Sequence, residues 1–268
     1  MKIGNREFDV KNETYIMGIL NVTPDSFSDG GKFNNLDAAL RHAEEMVEEG
    51  ADIVDIGGES TRPGHIVISE EEEIARVVPI VEAVKAHFDV PVSIDTYKGN
   101  VAEAALQAGA DLVNDIWGFK FDKKTALMTA KYNAACCLMH NKDEAVYNDF
   151  LEDMVSEMAE CVKIAREAGV VDDKIMLDPG VGFGKTYEMN LAAINHVDVL
   201  HRLGFPILLG TSRKSVIGNT LNLPADQRVE GTLATTVIGV MKNCAFVRVH
   251  DIKENKRIIQ MTKAILAH

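Results

Sequence analysis

Eight short apolar, β-branched runs recur along this chain, each followed by a longer amphipathic stretch. This alternation constrains the fold more than any other feature. The runs are YIMGIL (15–20), DIVDI (52–56), VSID (92–95), DLVND (111–115), AACCLM (134–139), KIMLD (174–178), PILLG (206–210) and AFVRV (245–249). Between them lie helical patterns such as LDAALRHAEEMVEEG and EEEIARVVPIVEAVKAHF, most ending in glycine or a polar turn. A weak internal repeat, EEGADIVDI (48–56) and QAGADLVNDI (107–116), gives the same helix end, turn and strand twice. Strand and helix in alternation, eight times over, predict an α/β chain folded as a (β/α)8 TIM barrel. The 268 residues suit that fold, which typically takes about 250. An open doubly wound sheet is the competitor, but no Gly-x-Gly-x-x-Gly opens the first helix. No proline- or serine-rich linker divides the chain, so residues 1–268 are expected to form a single domain.

A barrel of this kind carries its active site at the carboxyl ends of the strands. Those positions here are Asn21, Asp55, Asp95, Asn114 with Asp115, His140, Asp178, the GTSRK turn (210–214) and RVHD (248–251). One polar strand end is unremarkable, because strand ends meet solvent. Eight converging on one rim predict a site.

The stretch DPGVGFGKT (178–186) follows the sixth run and looks at first like a phosphate-binding P-loop. The spacing excludes that. Gly180 to Gly184 leaves three intervening residues where a P-loop needs four, and Pro179 stands at the next position back. Asp178 at the strand end would repel phosphate. A carboxylate suits a ligand edge rich in N–H donors, where two oxygens accept paired hydrogen bonds. The loop is therefore expected to hold a polar heterocycle at Asp178, with glycines permitting close backbone approach.

Asp95, Asn114 and Asp178 could together surround the donor-rich edge of a flat heterocycle. Paired acid–base carboxylates of the glycosidase type are the rival use, disfavoured mildly by a chain with one Trp. The loop NVTPDSFSDGG (21–31) is a candidate lid, and Asn21 at its base could offer a carbonyl oxygen to Mg2+. In GGESTRPG (57–64), Thr61 and Arg62 could contact an anionic or aromatic ligand, or Glu59 and Arg62 could only brace the loop. Lys214, Arg248 and His250 come from the last two strands, where barrels often bind phosphate. Arg248 and His250 are two apart and share one side of an extended strand. Arg213 is assigned to structure, and Lys185 is ambiguous, an exposed position being open to it.

A net charge of −13 weighs against nucleic acid or an anionic membrane as partner, and an anionic substrate would need this local cluster of positive charge. Cys136, Cys137, Cys161 and Cys244 lack Cys-x-x-Cys spacing and read as buried, reduced thiols. The polar start MKIGNREFDV and the lack of a long apolar run predict a cytoplasmic protein with no membrane span.

Seven segments taken in order, MGILNVTPDSFSDGG, DIGGESTRPG, SIDT, NDIWG, DPGVGFGKT, LLGTSRKS and RVHD, resemble the dihydropteroate synthases, pterin-binding folate-pathway enzymes inhibited by sulfonamides. The resemblance spans about residues 15–251. It implies condensation of 6-hydroxymethyl-7,8-dihydropterin diphosphate with p-aminobenzoate to give 7,8-dihydropteroate and diphosphate. It also implies roles. Asp95, Asn114, Asp178 and Lys214 would bind the pterin. Asn21 would coordinate Mg2+, and Arg248 and His250 would hold the diphosphate. Phe183, Thr61, Pro63, Lys214 and Ser215 would line the p-aminobenzoate site, with Phe27 arriving on the first loop. Asp95, Lys214, Arg248 and His250 would form the catalytic set, acting through a pterin methylene carbocation. The family is typically homodimeric. Two alternatives stand beside it. A pterin-dependent corrinoid methyltransferase would ignore p-aminobenzoate, and a non-catalytic pterin-binding protein would have no need of Asn21, Arg248 and His250.

Overall fold

A computed structural model describes residues 1–22, 32–60 and 67–268, with the backbone alone for 32–35. Each of the eight apolar runs forms a strand. A small antiparallel hairpin, β1 (Lys2–Ile3) and β2 (Arg6–Glu7), precedes them. The sheet consists of β3 (Tyr15–Asn21), β4 (Ile53–Gly57), β5 (Val92–Asp95), β6 (Leu112–Asp115), β7 (Ala135–Met139), β8 (Ile175–Asp178), β9 (Leu208–Leu209) and β10 (Phe246–Val249). All pairings are parallel, in the order β8-β7-β6-β5-β4-β3-β10-β9. A parallel bridge from Leu177 to Ile207 joins the two ends and closes the barrel.

The return segments are the helices α1 (Lys32–Glu49), α2 (Glu70–His87), α3 (Gly99–Gln107), α4 (Lys123–Lys131), α5 (Phe150–Ala168), α6 (Tyr187–Asn195), α7 (Ser215–Leu221), α8 (Val229–Met241) and α9 (Ile252–Leu266). Local chemistry sets their ends. The Ser69, Asp122, Asp149 and Thr186 side chains accept backbone N–H groups of the first turns of α2, α4, α5 and α6. Gly169, with φ 98°, ends α5 in the left-handed conformation that glycine adopts without strain.

Period-two alternation divides each strand between two environments. Outward residues such as Ile16, Val54, Ile94, Val113, Leu138, Leu177 and Val247 pack under the helices. Inward residues Met17, Ile53, Leu112, Ala135, Cys137, Met176, Leu208 and Phe246 fill the lower barrel. The hairpin seals that floor with Ile3 and Phe8, the Phe8 ring standing 5.5 Å from Phe246 and 4.8 Å from Tyr15. One step of two residues above this apolar layer, the inward positions become Asp55, Asn114, Asp178 and Arg248, joined by Asp95 above Ser93. The polar rim is therefore one layer of the barrel interior, resting on a dry floor.

The four cysteines are buried and unpaired with one another, as expected from their spacing. Among the described residues no helix is long and apolar enough to cross a membrane. The seventh run is the least regular strand, only two residues long.

Candidate active site

Arg248 stands at the centre of the polar layer. Its Nε donates to Asp55 Oδ2 and its Nη2 to Asp95 Oδ2, each at 2.6 Å. Asp55 is fully buried and Asp95 nearly so, while the Arg248 side chain keeps 18% of its surface exposed. Asn114 Nδ2 reaches the same Asp55 oxygen at 3.4 Å. Two carboxylates against one guanidinium leave an excess of negative charge in a place poor in water. Burial, with Asp55 adding to it and Arg248 opposing it, pushes the Asp95 carboxyl up to about 7. Burial also disfavours the charge on Arg248, but Asp55 and Asp95 outweigh it and hold the guanidinium charged more firmly than usual. Asp55 Oδ1 and Asp95 Oδ1 are buried with no hydrogen-bond partner among the described residues, so each retains an acceptor for a ligand.

Asp178 and Lys214 occupy the β8–β9 part of the same layer, next to Arg248 on β10. Asp178 Oδ1 accepts the Gly180 N–H at 2.7 Å, and burial raises the carboxyl's pKa while Lys214 opposes that rise. Lys214 Nζ donates to Val181 O at 2.5 Å and lies 4.9 Å from the centre of the Phe183 ring. Burial pulls the ammonium down to about 8 against the attraction of Asp178. Gly210 keeps this side open, since a Cβ there would stand 3.2 Å from Asp178 Oδ2. The turn between Asp178 and Lys214 depends on glycine too. Gly180 has φ 67°, and a Cβ would fall 1.8 Å from His140 O.

His250 lies beyond Arg248. Its Nδ1 is 2.9 Å from Ser212 Oγ, and its backbone N–H donates to the same oxygen at 3.2 Å. Asn21 ends β3 beside Gly57, where a Cβ would be 3.6 Å from both Asn21 Oδ1 and Asp95 Cβ. Ser215 is exposed at the start of α7. Phe27, Thr61, Arg62 and Pro63 lie outside the described residues.

The structure brings Asp95, Asn114 and Arg248 into one hydrogen-bonded group through Asp55, and sets Lys214 over the Phe183 ring within reach of the Asp178 charge. It also changes three expectations. Arg248 is not an open cation beside His250, because its positive charge is already shared by Asp55 and Asp95. Asp55 is more than a polar strand end, because it anchors that arginine. Its signal was phase: it sits two residues after inward Ile53, as Asn114 does after Leu112. Lys185 does not point into solvent. It is half-buried beneath the 178–186 turn, and burial pulls its pKa down to about 7, with Asp178 opposing.

Two supporting roles are now visible. Arg213, at φ 58°, pairs through Nε and Nη2 with Asp251, and its carbonyl accepts Arg228 Nη1 at 2.8 Å, so it does brace the turn. Glu59 braces its loop as well. Its Oε2 accepts Lys98 Nζ at 2.7 Å and the Ile68 N–H at 2.9 Å, while Lys98 also pairs with Glu73. These contacts tie both ends of the second loop to one buried ammonium.

Comparison with known proteins identifies the family. Residues 17–250 match the model of the pterin binding enzyme family. The dihydropteroate synthase of Clostridium beijerinckii is 62% identical over 267 residues, 99% of each chain. Among solved structures, the dihydropteroate synthase of Clostridium difficile, determined in the presence of pteroic acid, superposes with a TM-score of 0.94 at 52% identity. It covers 97% of this chain and 99% of its own. The Xanthomonas albilineans enzyme, solved with 4-aminobenzoic acid, gives 0.91 at 37% identity, with 96% and 94% covered. These likenesses favour the synthase over the corrinoid-linked alternative. The chain belongs to the pterin-binding enzymes and, among them, to the dihydropteroate synthases, transferases of folate biosynthesis.

Proposed function

We propose that this chain joins 6-hydroxymethyl-7,8-dihydropterin diphosphate to p-aminobenzoate, and that the inward polar layer of the barrel performs the chemistry. The observation carrying this assignment is the Asp55–Arg248–Asp95 clamp in the same inward layer as Asp178 and Lys214, with one oxygen each of Asp55 and Asp95 left without a hydrogen-bond partner among the described residues. Donors of a pterin, its 2-amino group and ring N–H, fit Asp178, whose second oxygen is left by the Gly180 bond. Asn114, already giving an N–H to Asp55, has its carbonyl for the same ligand. Lys214 and Phe183 close one wall. Thr61, Pro63, Ser215 and Phe27 are assigned with them to p-aminobenzoate.

In this reading the methylene C–O bond breaks first, and its electron pair leaves with diphosphate. Arg248 meets that departing charge with the N–H groups not committed to Asp55 and Asp95, and His250 adds a further donor. The methylene cation is conjugated with the pterin ring and stabilised by Asp95. The aniline nitrogen then attacks and loses its proton after the C–N bond forms. Asn21 is assigned to Mg2+. A lone amide oxygen suits an ion that takes one or two protein oxygens and completes its shell with substrate phosphate and water. Among the described residues no group of three Asp, Glu, His or Cys forms a preassembled cage. When bound, the ion supplies positive charge to the leaving group.

The test is diphosphate release from the dihydropterin diphosphate with Mg2+. Release should require p-aminobenzoate, yield dihydropteroate and stop when EDTA removes the ion. Tight pterin binding without release would overturn the assignment. Release undiminished by EDTA would remove Mg2+ from it.

A homodimer in the cytoplasm completes the proposal. It is supported by the likeness to the dihydropteroate synthases. Sedimentation equilibrium should give twice the 29.4 kDa chain mass, and the single mass at micromolar concentration would exclude the dimer.

A further inference from the structure

The 178–186 turn carries three left-handed glycines in five residues: Gly180 at φ 67°, Gly182 at φ 91° and Gly184 at φ 53°. Such a backbone has much freedom in the unfolded chain and needs something to converge upon. It converges on Lys185. The ammonium contacts Gly180 O at 2.9 Å, Phe183 O at 3.0 Å, His140 Nδ1 at 2.8 Å and, more weakly, His140 O at 3.4 Å. The opposite side of the same turn presents the ligand-facing groups. Its Gly180 N–H orients Asp178, its Val181 carbonyl seats Lys214, and it bears the Phe183 ring.

The lysine is itself held by a chain of two more side chains. His140 is fully buried at the end of β7, with Nε2 2.9 Å from Glu157 Oε2 on α5. A carboxylate only accepts, so Nε2 carries the proton given to Glu157, and in the buried, neutral imidazole Nδ1 is left to accept from Lys185. The other Glu157 oxygen takes Lys142 Nζ at 2.7 Å. Thus α5, the end of β7 and the β8–α6 turn are joined by one directional series of hydrogen bonds.

We propose that Lys185 is a positioning residue for the pterin: it gathers the carbonyls of the turn on its inner side, and the neutral, Nε2-protonated His140 held by Glu157 fixes it there. The proposal rests on assigning this turn to the pterin. Lys185→Met keeps the stem and removes the donors. It should raise KM for the pterin diphosphate at least about ten-fold, with the melting temperature of the variant showing it folded and kcat per folded molecule changed much less. A merely structural lysine would lower kcat in proportion to folded protein and leave KM alone, and that result would overturn the proposal. If wild type itself failed to turn over the pterin diphosphate, the assignment of the turn would fail instead. Nitrogen-15 histidine spectra of the wild-type protein at neutral pH provide a second measurement that needs no variant. His140 should show a protonated Nε2 and an unprotonated Nδ1. A protonated Nδ1, alone or in an imidazolium, would overturn the series.

Discussion

Arg248→Met is expected to abolish measurable synthase activity and to weaken the fold. The methionine would fill the space but leave Asp55 and Asp95 together in a buried layer with no guanidinium between them. Breaking a buried ion pair by removing one partner costs about 3–5 kcal/mol, since the remaining charge stays unpaired. Proton uptake relieves part of this, because Asp95 already titrates at about 7. Activity should fall further than stability. Losing one preorganised donor to a developing negative charge typically costs 10²–10³ in rate, and Arg248 also sets the position of Asp95. Urea midpoints and kcat on the same preparation check both effects. Arg248→Lys should recover part of the stability and little of the rate, because one ammonium cannot span two carboxylates as the planar fork does. An Arg248→Met enzyme with near-normal turnover would show that the leaving group is handled elsewhere.

Asp95→Asn tests the other half of the clamp. The amide keeps the shape and can still accept from Arg248 Nη2, so pterin binding should weaken less than about ten-fold. The negative charge beside the methylene carbon is lost, and kcat should drop by about 10²–10³. The pH dependence gives the sign independently. Burial raises the Asp95 pKa to about 7, so its charged form disappears as pH falls through that value. Wild-type turnover should therefore decline on the acid side with an apparent pKa near 7, and the Asn variant should lack that limb. Near-normal turnover in Asp95→Asn would remove the carboxylate from cation stabilisation, whatever the remaining profile looked like.

The strands were legible because each is a short, locally coded apolar run, and their ends fell within one residue of expectation for seven of the eight; 206–210 narrowed to Leu208–Leu209. The floor of the barrel was not. MKIGNREFDV is polar on average, yet it places Ile3 and Phe8 inside. The Gly4-Asn5 pair between Ile3 and Arg6 was the available hairpin signal. Asp95, Asn114, Asp178 and Arg248 could be listed as rim residues because strand phase is a property of the sequence. That Arg248 is spent on Asp55 and Asp95 could not, because the partners lie 193 and 153 residues away. The same holds for Lys185. Its neighbour His140 is 45 residues distant, and a lysine after Phe-Gly looks like a surface residue until the turn is folded over it.

The closing strand of the barrel has a consequence for how the enzyme is made. β3 is translated long before β10, one of its two neighbours in the barrel. The Tyr15 N–H bonds Ala245 O, Thr14 Oγ1 bonds Cys244 O across 230 residues, and Phe8 on the floor packs against Phe246. During synthesis β3 therefore keeps an unpaired edge, of the kind that invites association with other chains, until β10 has been translated. The nascent barrel meanwhile holds Asp55 and Asp95 without the guanidinium that balances them. Translation of β10 supplies the missing edge and the missing cation together, so a chain halted before it is expected to behave as an aggregation-prone intermediate rather than as a weaker enzyme.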